Sequence, residues 1–301
     1  MTNRLFITDV GPRDGLQSQK TMVDTRSKRA LIDALWATGV KRIEATSFVS
    51  PTAVPQMADA QELLRSIAVP PDARVSVLVP NQRGLARALA AGAQEIAVVL
   101  SATETMNQKN IRMGLDQAVQ TCRDTLAEAR AAGLQTRAYV AVAFECPFEG
   151  PTPAQRVIEL ANEMAQAGAG EIVLADTIGA AAPRDIDALL GPLLQQLPVE
   201  RIGLHLHDTR GMALADAWAA IGHGVRRFDS SVGGLGGCPF APGAAGNLAT
   251  EDLVLMAHQC GFETGIDLNA LMAAVDLAGR AVGYGIGGRS AGWLRRKTTT
   301  A

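Results

Sequence analysis

The stretch DTRSKRALIDALWATGVKRIEATSF, residues 24–48, contains a helical pattern that is followed directly by a strand pattern. Its first part, residues 24–39, carries apolar residues at helical spacing and ends in glycine, a residue favoured just after a helix. Its second part, residues 42–48, is a short run of the kind that forms a β-strand. The same pair of patterns recurs along the chain, and this alternation indicates an α/β protein.

Eight strand-like runs lie within about 230 residues. They are RLFITDV (4–10), RIEATSF (42–48), RVSVLVP (74–80), EIAVVL (95–100), TRAYVAVAF (136–144), EIVLAD (171–176), RIGLHLH (201–207) and RRFDSSV (226–232). Several are almost entirely apolar, which is typical of a parallel sheet covered by helices. Eight such units favour a (β/α)8 TIM barrel with extra C-terminal helices over an open doubly wound sheet.

The domain organisation predicted from these patterns is a single catalytic domain over residues 1–301, since no linker rich in proline or serine interrupts them. The barrel would take about residues 4–248 and two further helices about residues 249–283. The tail, residues 284–301, ends in RRKTTTA, a segment that we expect to be disordered.

The composition limits the possible classes of function. Hydrophobic residues make up 48% of the chain and charged residues 19%, so a large core can form. The net charge of -2 gives no sign of nucleic-acid binding, and no apolar run is long enough to span a membrane. The four cysteines form no CxxC pair, and the N-terminus does not read as a signal peptide. We therefore expect a cytoplasmic enzyme without nucleic-acid or membrane partners.

Polar residues cluster at the predicted strand ends, where TIM barrels carry out their chemistry. They are Arg13, Asp14 and Gln17 after the first strand, Glu44 and Ser47 on the second, Asp176 on the sixth, His205 and His207 on the seventh, and Cys238 and Asn247 after the eighth. This placement predicts an active site at one end of the barrel.

The segment HLHD, residues 205–208, indicates a metal site, because residues two apart on a strand share a face. Two buried histidines held by hydrogen bonds are the alternative. His223 and His258 fall in predicted helices, so the remaining candidate ligands are the oxygens of Asp14 and Asn247. Two imidazoles with a carboxylate and an amide oxygen suit Mg²⁺ or Mn²⁺ better than tetrahedral zinc.

Two charged residues near the predicted site each allow two interpretations. Arg13 either pairs with Asp14 or points at an oxygen where negative charge develops. Glu44 either pairs with an arginine such as Arg13 or transfers a proton directly.

The segment GGLGGCPFAPGAAGN, residues 233–247, predicts a mobile loop that places Cys238 over the barrel mouth. A thiol close to a metal ion and an arginine can act as an acid or a base, whereas a buried inert cysteine is the alternative. Cys146 is a weaker candidate for the same role.

Five segments together resemble the 3-hydroxy-3-methylglutaryl-CoA lyase family, within the DRE-TIM metallolyase group. They are DVGPRDGLQ (9–17), IEATSFVSP (43–51), HLHDTRG (205–211), GGLGGCP (233–239) and GNLATEDLV (246–254). The resemblance implies a carbon–carbon lyase of leucine catabolism that cleaves an acyl-CoA thioester and forms a homodimer.

The resemblance also implies a role for each candidate residue. Mg²⁺ or Mn²⁺ would be bound by Asp14, His205, His207 and Asn247. Arg13 would stabilise an enolate and Cys238 would transfer a proton, with Glu44 and Asp176 in supporting catalytic positions. Gln17 and Ser47, together with Arg13, would contact the substrate.

The sequence departs from the family pattern at two positions, which leaves the substrate open. Arg210 stands where the family commonly has tyrosine, and Glu145 stands where it often has glycine. These residues either reshape the acyl pocket or form a surface ion pair. Citramalyl-CoA, a longer-branched 3-hydroxyglutaryl-CoA, and a Claisen-condensing reaction are the alternatives to cleavage of 3-hydroxy-3-methylglutaryl-CoA.

Overall fold

A computed structural model describes residues 3–237 and 246–299 of the chain. Eight parallel strands close into a barrel in which each strand pairs with the next, and the last pairs with the first. They are β1 (Phe6–Asp9), β2 (Arg42–Ser47), β3 (Arg74–Leu78), β4 (Glu95–Ser101), β5 (Gln135–Ala141), β6 (Glu171–Asp176), β7 (Ile202–Leu206) and β8 (Arg227–Ser230). The predicted (β/α)8 barrel is therefore confirmed, and the strand boundaries agree with the sequence patterns within three residues.

Helices follow the strands and cover the outside of the barrel. They are α1 (Thr25–Ala37), α2 (Ala60–Ser66), α3 (Gln82–Ala90), α4 (Glu104–Ile111), α5 (Leu115–Ala131), α6 (Ala154–Ala167), α7 (Pro183–Leu193), α8 (Ala213–Gly222), α9 (Thr250–Gln259), α10 (Leu268–Val282) and α11 (Ala291–Thr299). Helix α1 begins after Asp24, whose side chain accepts a hydrogen bond from the Ser27 N–H. None of the helices described is long and apolar enough to cross a membrane.

The C-terminal region contains one helix more than the sequence predicted. Helices α9 and α10 match the two predicted ones, but α11 extends to Thr299, so the expectation of a disordered RRKTTTA tail was wrong up to that residue. Ala291 and Leu294 are buried, and they lie three residues apart on one face of α11. That buried apolar face accounts for the helix. The extent of a single domain over residues 1–301 stays a prediction.

The barrel interior is unusually polar. Most buried apolar side chains lie between strands and helices, and a second, small cluster consists of Leu78, Ala97, Tyr139 and Val173. The Tyr139 hydroxyl donates to Asp229 Oδ2, and the two residues lie on β5 and β8, which are not neighbours. This contact therefore crosses the inside of the barrel. Charged residues in the interior require paired partners, because an isolated buried charge is costly.

Candidate functional site

Asp14 is placed by a tight turn that directly follows β1. Residues Gly11–Gly15 form a π-helical turn, in which the Asp14 N–H donates to the Val10 carbonyl at 2.8 Å. A Cβ added at Gly11 would lie 2.7 Å from Val232 Cγ1, so the turn packs closely on the segment after β8. The close approach requires glycine and brings Asp14 over the barrel mouth.

The two histidines lie at the end of β7 and face the same side. His205 belongs to the strand and His207 follows it, and their ring centroids are 5.3 Å apart. After β8 the chain returns so that Asn247 forms an antiparallel bridge with His207. The Leu248 N–H donates to the Leu206 carbonyl at 2.8 Å, which holds this return segment against β7. The bridge explains how a residue 40 positions away in sequence reaches the histidines.

The ligand atoms of Asp14, His205 and His207 lie within 4.8 Å of one another, a spacing that could hold one metal ion. The Asn247 Nδ2 group donates to Asp14 Oδ2 at 2.8 Å and to the Leu235 carbonyl at 3.0 Å. With the amide held in this way, its buried Oδ1 has no hydrogen-bond partner among residues 3–237 and 246–299. A carboxylate, two imidazoles and a free amide oxygen form a donor set that fits a hard divalent cation.

Arg13 is held between two carboxylates. Its Nε donates to Glu44 Oε2 at 2.5 Å, and its Nη1 donates to Asp14 Oδ1 at 2.7 Å. A further contact joins Nη2 to the same Glu44 oxygen at 2.5 Å. The structure thus shows Arg13 paired with both Asp14 and Glu44, which was one of the two interpretations of each residue in the sequence analysis. Among the described residues these contacts use three of the five guanidinium N–H groups, which leaves two that could bind a ligand.

Charge and burial set the protonation of these groups. Burial favours the neutral form of Asp14, but Arg13, the two histidines and the Asn247 hydrogen bond together outweigh it and hold the pKa of Asp14 below the ordinary value. Burial, followed by the neighbouring His205, lowers the pKa of His207 to about 4. An ionised carboxylate and a neutral imidazole are the forms that bind a cation at neutral pH. Burial also raises the pKa of Glu44, although the Arg13 charge opposes the effect.

Three other predicted site residues, Asp176, Gln17 and Ser47, lie at the same end of the barrel. Asp176 is the last residue of β6, and its two carboxylate oxygens accept hydrogen bonds from the Ala180 and Ala181 N–H groups at 2.9 and 3.0 Å. The Gln17 Oε1 and Ser47 Oγ atoms are buried without a hydrogen-bond partner in the part of the chain that is described. Cys238 lies outside the described residues. The weaker candidate Cys146 is buried, and its sulfur accepts from the Thr103 hydroxyl at 3.1 Å.

The two departures from the family pattern meet at the surface. Arg210 Nη2 lies 3.4 Å from Glu145 Oε1, and the Arg210 side chain is half exposed. Arg210 also donates to the Ala180 carbonyl at 3.2 Å, in the loop that holds Asp176. Of the two interpretations of these residues, the structure shows the surface ion pair.

Three interior residues near His205 were not singled out in the sequence. Asp229 Oδ1 accepts from Arg137 Nη2 at 2.7 Å, and Asp229 Oδ2 accepts from the Tyr139 hydroxyl at 2.6 Å. Burial alone would raise the pKa of Asp229, but Arg137 and the hydrogen bonds hold it well below the ordinary value. The available signal was a charged residue inside the strands TRAYVAVAF and RRFDSSV, which is unusual for a barrel interior.

A closed parallel barrel whose mouth gathers two imidazoles and a carboxylate around one point has the architecture of a (β/α)8-barrel enzyme with a candidate metal centre. The chain matches the family described as HMGL-like over residues 4–278, and it belongs to that family.

Named relatives agree with this assignment. The chain is 46% identical over 268 residues to hydroxymethylglutaryl-CoA lyase, mitochondrial, from Bos taurus, with 89% of this chain and 82% of the relative covered. The HMG-CoA lyase from Bacillus subtilis, known from a crystal structure, is 40% identical in sequence, and its fold matches with a TM-score of 0.95. The match covers 98% of this chain and 100% of that one. An HMG-CoA lyase from Acinetobacter baumannii, whose structure was solved in complex with coenzyme A and 3-methylmalate, is also 40% identical, with a TM-score of 0.92. That match covers 96% of this chain and 95% of the other.

Proposed function

We propose that the protein cleaves 3-hydroxy-3-methylglutaryl-CoA to acetoacetate and acetyl-CoA, as a carbon–carbon lyase. The observation that carries this proposal is the group of Asp14, His205 and His207 beside the unpartnered amide oxygen of Asn247, in a chain of the HMGL-like family. Relatives named as HMG-CoA lyases align with most of this chain, which supports the choice of substrate.

We further propose that Asp14, His205, His207 and Asn247 hold Mg²⁺ or Mn²⁺. The ionised carboxylate, the imidazoles and the free amide oxygen are suitable donors, and Asn247 also orients Asp14 through their hydrogen bond. When bound, the cation would supply Lewis acidity that lowers the pKa of the substrate hydroxyl. His207, with a pKa of about 4, stays neutral and able to donate its lone pair at physiological pH.

Arg13 would meet the negative charge that develops during bond cleavage. When the hydroxyl loses its proton and the C–C bond breaks, the bonding electrons pass to the thioester as an enolate. Glu44 fixes the Arg13 guanidinium by contacting two of its nitrogens. The two remaining N–H groups would donate hydrogen bonds to the enolate oxygen. A donor held in place before the reaction needs no reorganisation as charge forms.

Proton movement is assigned to the side chains at the mouth. We propose that Asp176 takes part in catalysis, because it ends β6 at the barrel mouth and burial raises the pKa of its carboxyl above the ordinary value. Cys238 would protonate the enolate to give acetyl-CoA, on the strength of the family resemblance. Gln17 and Ser47 would bind substrate oxygens or N–H groups through their unpartnered buried atoms.

A product assay tests this function. Purified protein supplied with Mn²⁺ is incubated separately with 3-hydroxy-3-methylglutaryl-CoA, citramalyl-CoA and a longer-branched 3-hydroxyglutaryl-CoA. We expect acetyl-CoA from the first thioester at the highest kcat/KM, together with acetoacetate. A higher kcat/KM with one of the other two thioesters would identify that compound as the substrate. If none of the three is cleaved, the proposed lyase activity is refuted.

Three further properties are proposed from the sequence and the family resemblance. We propose a homodimer, which sedimentation equilibrium would measure as twice the chain mass of 31.5 kDa. We also propose a cytoplasmic location and a place in leucine catabolism. Fractionation of the source cells tests the first of these, and growth of a deletion strain on leucine tests the second.

A further inference from the structure

The strongest unassigned feature is the hydrogen-bonded group beneath His205. Asp229 is 2% exposed and lies on β8, with one carboxylate oxygen bound by Arg137 and the other by Tyr139. Its Oδ2 also lies 3.4 Å from His205 Nδ1. Arg137 and Tyr139 are two residues apart on β5, so both point into the barrel towards Asp229.

The position of Asp229 matters because His205 has two ring nitrogens with different tasks. A neutral imidazole that binds a metal through one nitrogen carries its proton on the other, and that proton is usually donated to a carboxylate or carbonyl. The Nδ1 of His205 is buried and makes no hydrogen bond of good geometry with the described residues. The 3.4 Å contact with Asp229 is longer than an ideal hydrogen bond, but it faces that nitrogen with a charged acceptor.

Tyr139 supports the same ring in two ways. Its aromatic ring meets the His205 ring edge to face, with centroids 6.1 Å apart at an angle of 83°. Its hydroxyl donates to Asp229 Oδ2 at 2.6 Å and also accepts from Arg137 Nη1 at 3.1 Å. The histidine and the carboxylate are therefore held by one residue, and their relative position is fixed by packing as well as by charge.

We propose that Asp229 is a positioning residue that accepts a hydrogen bond from the Nδ1–H group of His205 and so presents the Nε2 lone pair to the bound cation, with Tyr139 and Arg137 orienting the carboxylate. The proposal rests on the metal site of the proposed function. It does not depend on which thioester is cleaved, because it concerns how the protein prepares a ligand.

The test measures Mn²⁺ affinity by calorimetry and the His205 tautomer by long-range ¹H–¹⁵N NMR. Asp229→Asn removes the charged acceptor and is expected to weaken Mn²⁺ binding about 10- to 100-fold, as loss of a ligand's supporting partner does in other metal sites. Tyr139→Phe keeps the ring contact and removes one hydrogen bond to Asp229. It is expected to weaken binding about two- to tenfold.

Glu171→Gln is the matched control. Glu171 belongs to the same buried cluster and pairs with Arg137 at 2.9 Å and with Arg42 at 3.0 Å, but none of its hydrogen bonds or ion pairs in the described chain involves His205. We expect this variant to lose stability while Mn²⁺ affinity and the Nδ1–H tautomer stay as in the wild type. Both variants near His205 should instead show a smaller Nδ1–H population.

The outcomes separate the possibilities. Equal losses of affinity in Asp229→Asn and Glu171→Gln would show general damage to the cluster and overturn the proposal. Wild-type affinity and tautomer in Asp229→Asn would overturn it as well. Should that variant fail to fold, unchanged affinity and tautomer in Tyr139→Phe would be decisive against it. A wild-type protein that binds Mn²⁺ but cleaves no thioester would refute the proposed reaction and leave this inference standing.

Discussion

A single methyl group at Gly236 should displace one proposed metal ligand. A Cβ built at this position would lie 2.3 Å from the Nδ2 atom of Asn247, far inside van der Waals contact. Gly236 also has a φ of +140°, a conformation that residues with a side chain rarely adopt. Asn247 is buried and hydrogen-bonded to Asp14 and Leu235, so it cannot move aside without losing those bonds.

The size of the effect follows from these contacts. Placing alanine at an unfavourable φ costs about 1–3 kcal/mol. Loss of a buried hydrogen bond to a carboxylate adds about 1.5–3 kcal/mol. Gly236→Ala should therefore lower the free energy of unfolding by about 2.5–6 kcal/mol. Mn²⁺ affinity should fall at least about tenfold, because displacement of Asn247 removes a ligand and leaves Asp14 without its orienting donor.

The neighbouring glycine provides the control. A Cβ at Gly237 meets no described atom within 4 Å, so Gly237→Ala should bind Mn²⁺ as the wild type does. Calorimetric Mn²⁺ titration and urea denaturation of both variants measure the two effects. Wild-type affinity in Gly236→Ala, or an equal loss in Gly237→Ala, would refute the reasoning about Asn247.

Three other predictions concern different parts of the molecule. His205→Ala should abolish tight Mn²⁺ binding in a calorimetric titration, whereas His223→Ala, which removes a surface pair with Asp187 at 2.8 Å, should not. Burial, followed by the neighbouring Asp176, raises the pKa of the Asp216 carboxyl to about 7, and this carboxyl has no hydrogen-bond partner among the described residues. The folded state therefore holds this proton more tightly than the unfolded chain does, and stability is lost as pH rises from about 4 to 7. Asp216→Asn should remove that dependence and, in urea melts at pH 8, stabilise the protein by up to about 4 kcal/mol; a melt curve that varies with pH as in the wild type would contradict this. Glu145→Gln should change stability by less than about 1 kcal/mol, since its exposed pair with Arg210 is weak, and a larger loss would mean that the pair supports the loop holding Asp176.

The strands and most of the site could be predicted because they depend on local patterns. EIVLAD contains four consecutive apolar residues and forms β6 with the same boundaries, since a strand covered by helices on its outer side must be largely apolar. His205 and His207 could be assigned to one face by their spacing alone. Their distance from Asp14 follows from barrel closure, which brings the carboxyl ends of β1 and β7 to one mouth.

The features that sequence missed depend on contacts between distant segments. The hydrogen bond from Tyr139 to Asp229 joins β5 to β8 across the barrel. A local sequence pattern cannot predict which charged side chains of the interior will contact one another. Arg210 and Glu145 could equally have entered the acyl pocket until the positions of two loops were known. Helix α11 ends in a polar run that suggests disorder, but the burial of Ala291 and Leu294 stabilises it against the rest of the chain.

The central claim is that one divalent cation, held by Asp14, His205, His207 and Asn247, is required for cleavage of the C–C bond of 3-hydroxy-3-methylglutaryl-CoA. Its most direct test is the rate of acetoacetate formation from 3-hydroxy-3-methylglutaryl-CoA as Mn²⁺ is added back to chelator-treated protein. We predict no product before addition, and activity that rises in proportion to bound metal until one ion is bound per chain. Full activity in the metal-free protein, or saturation of the site by Mn²⁺ without any acetoacetate, would contradict the account.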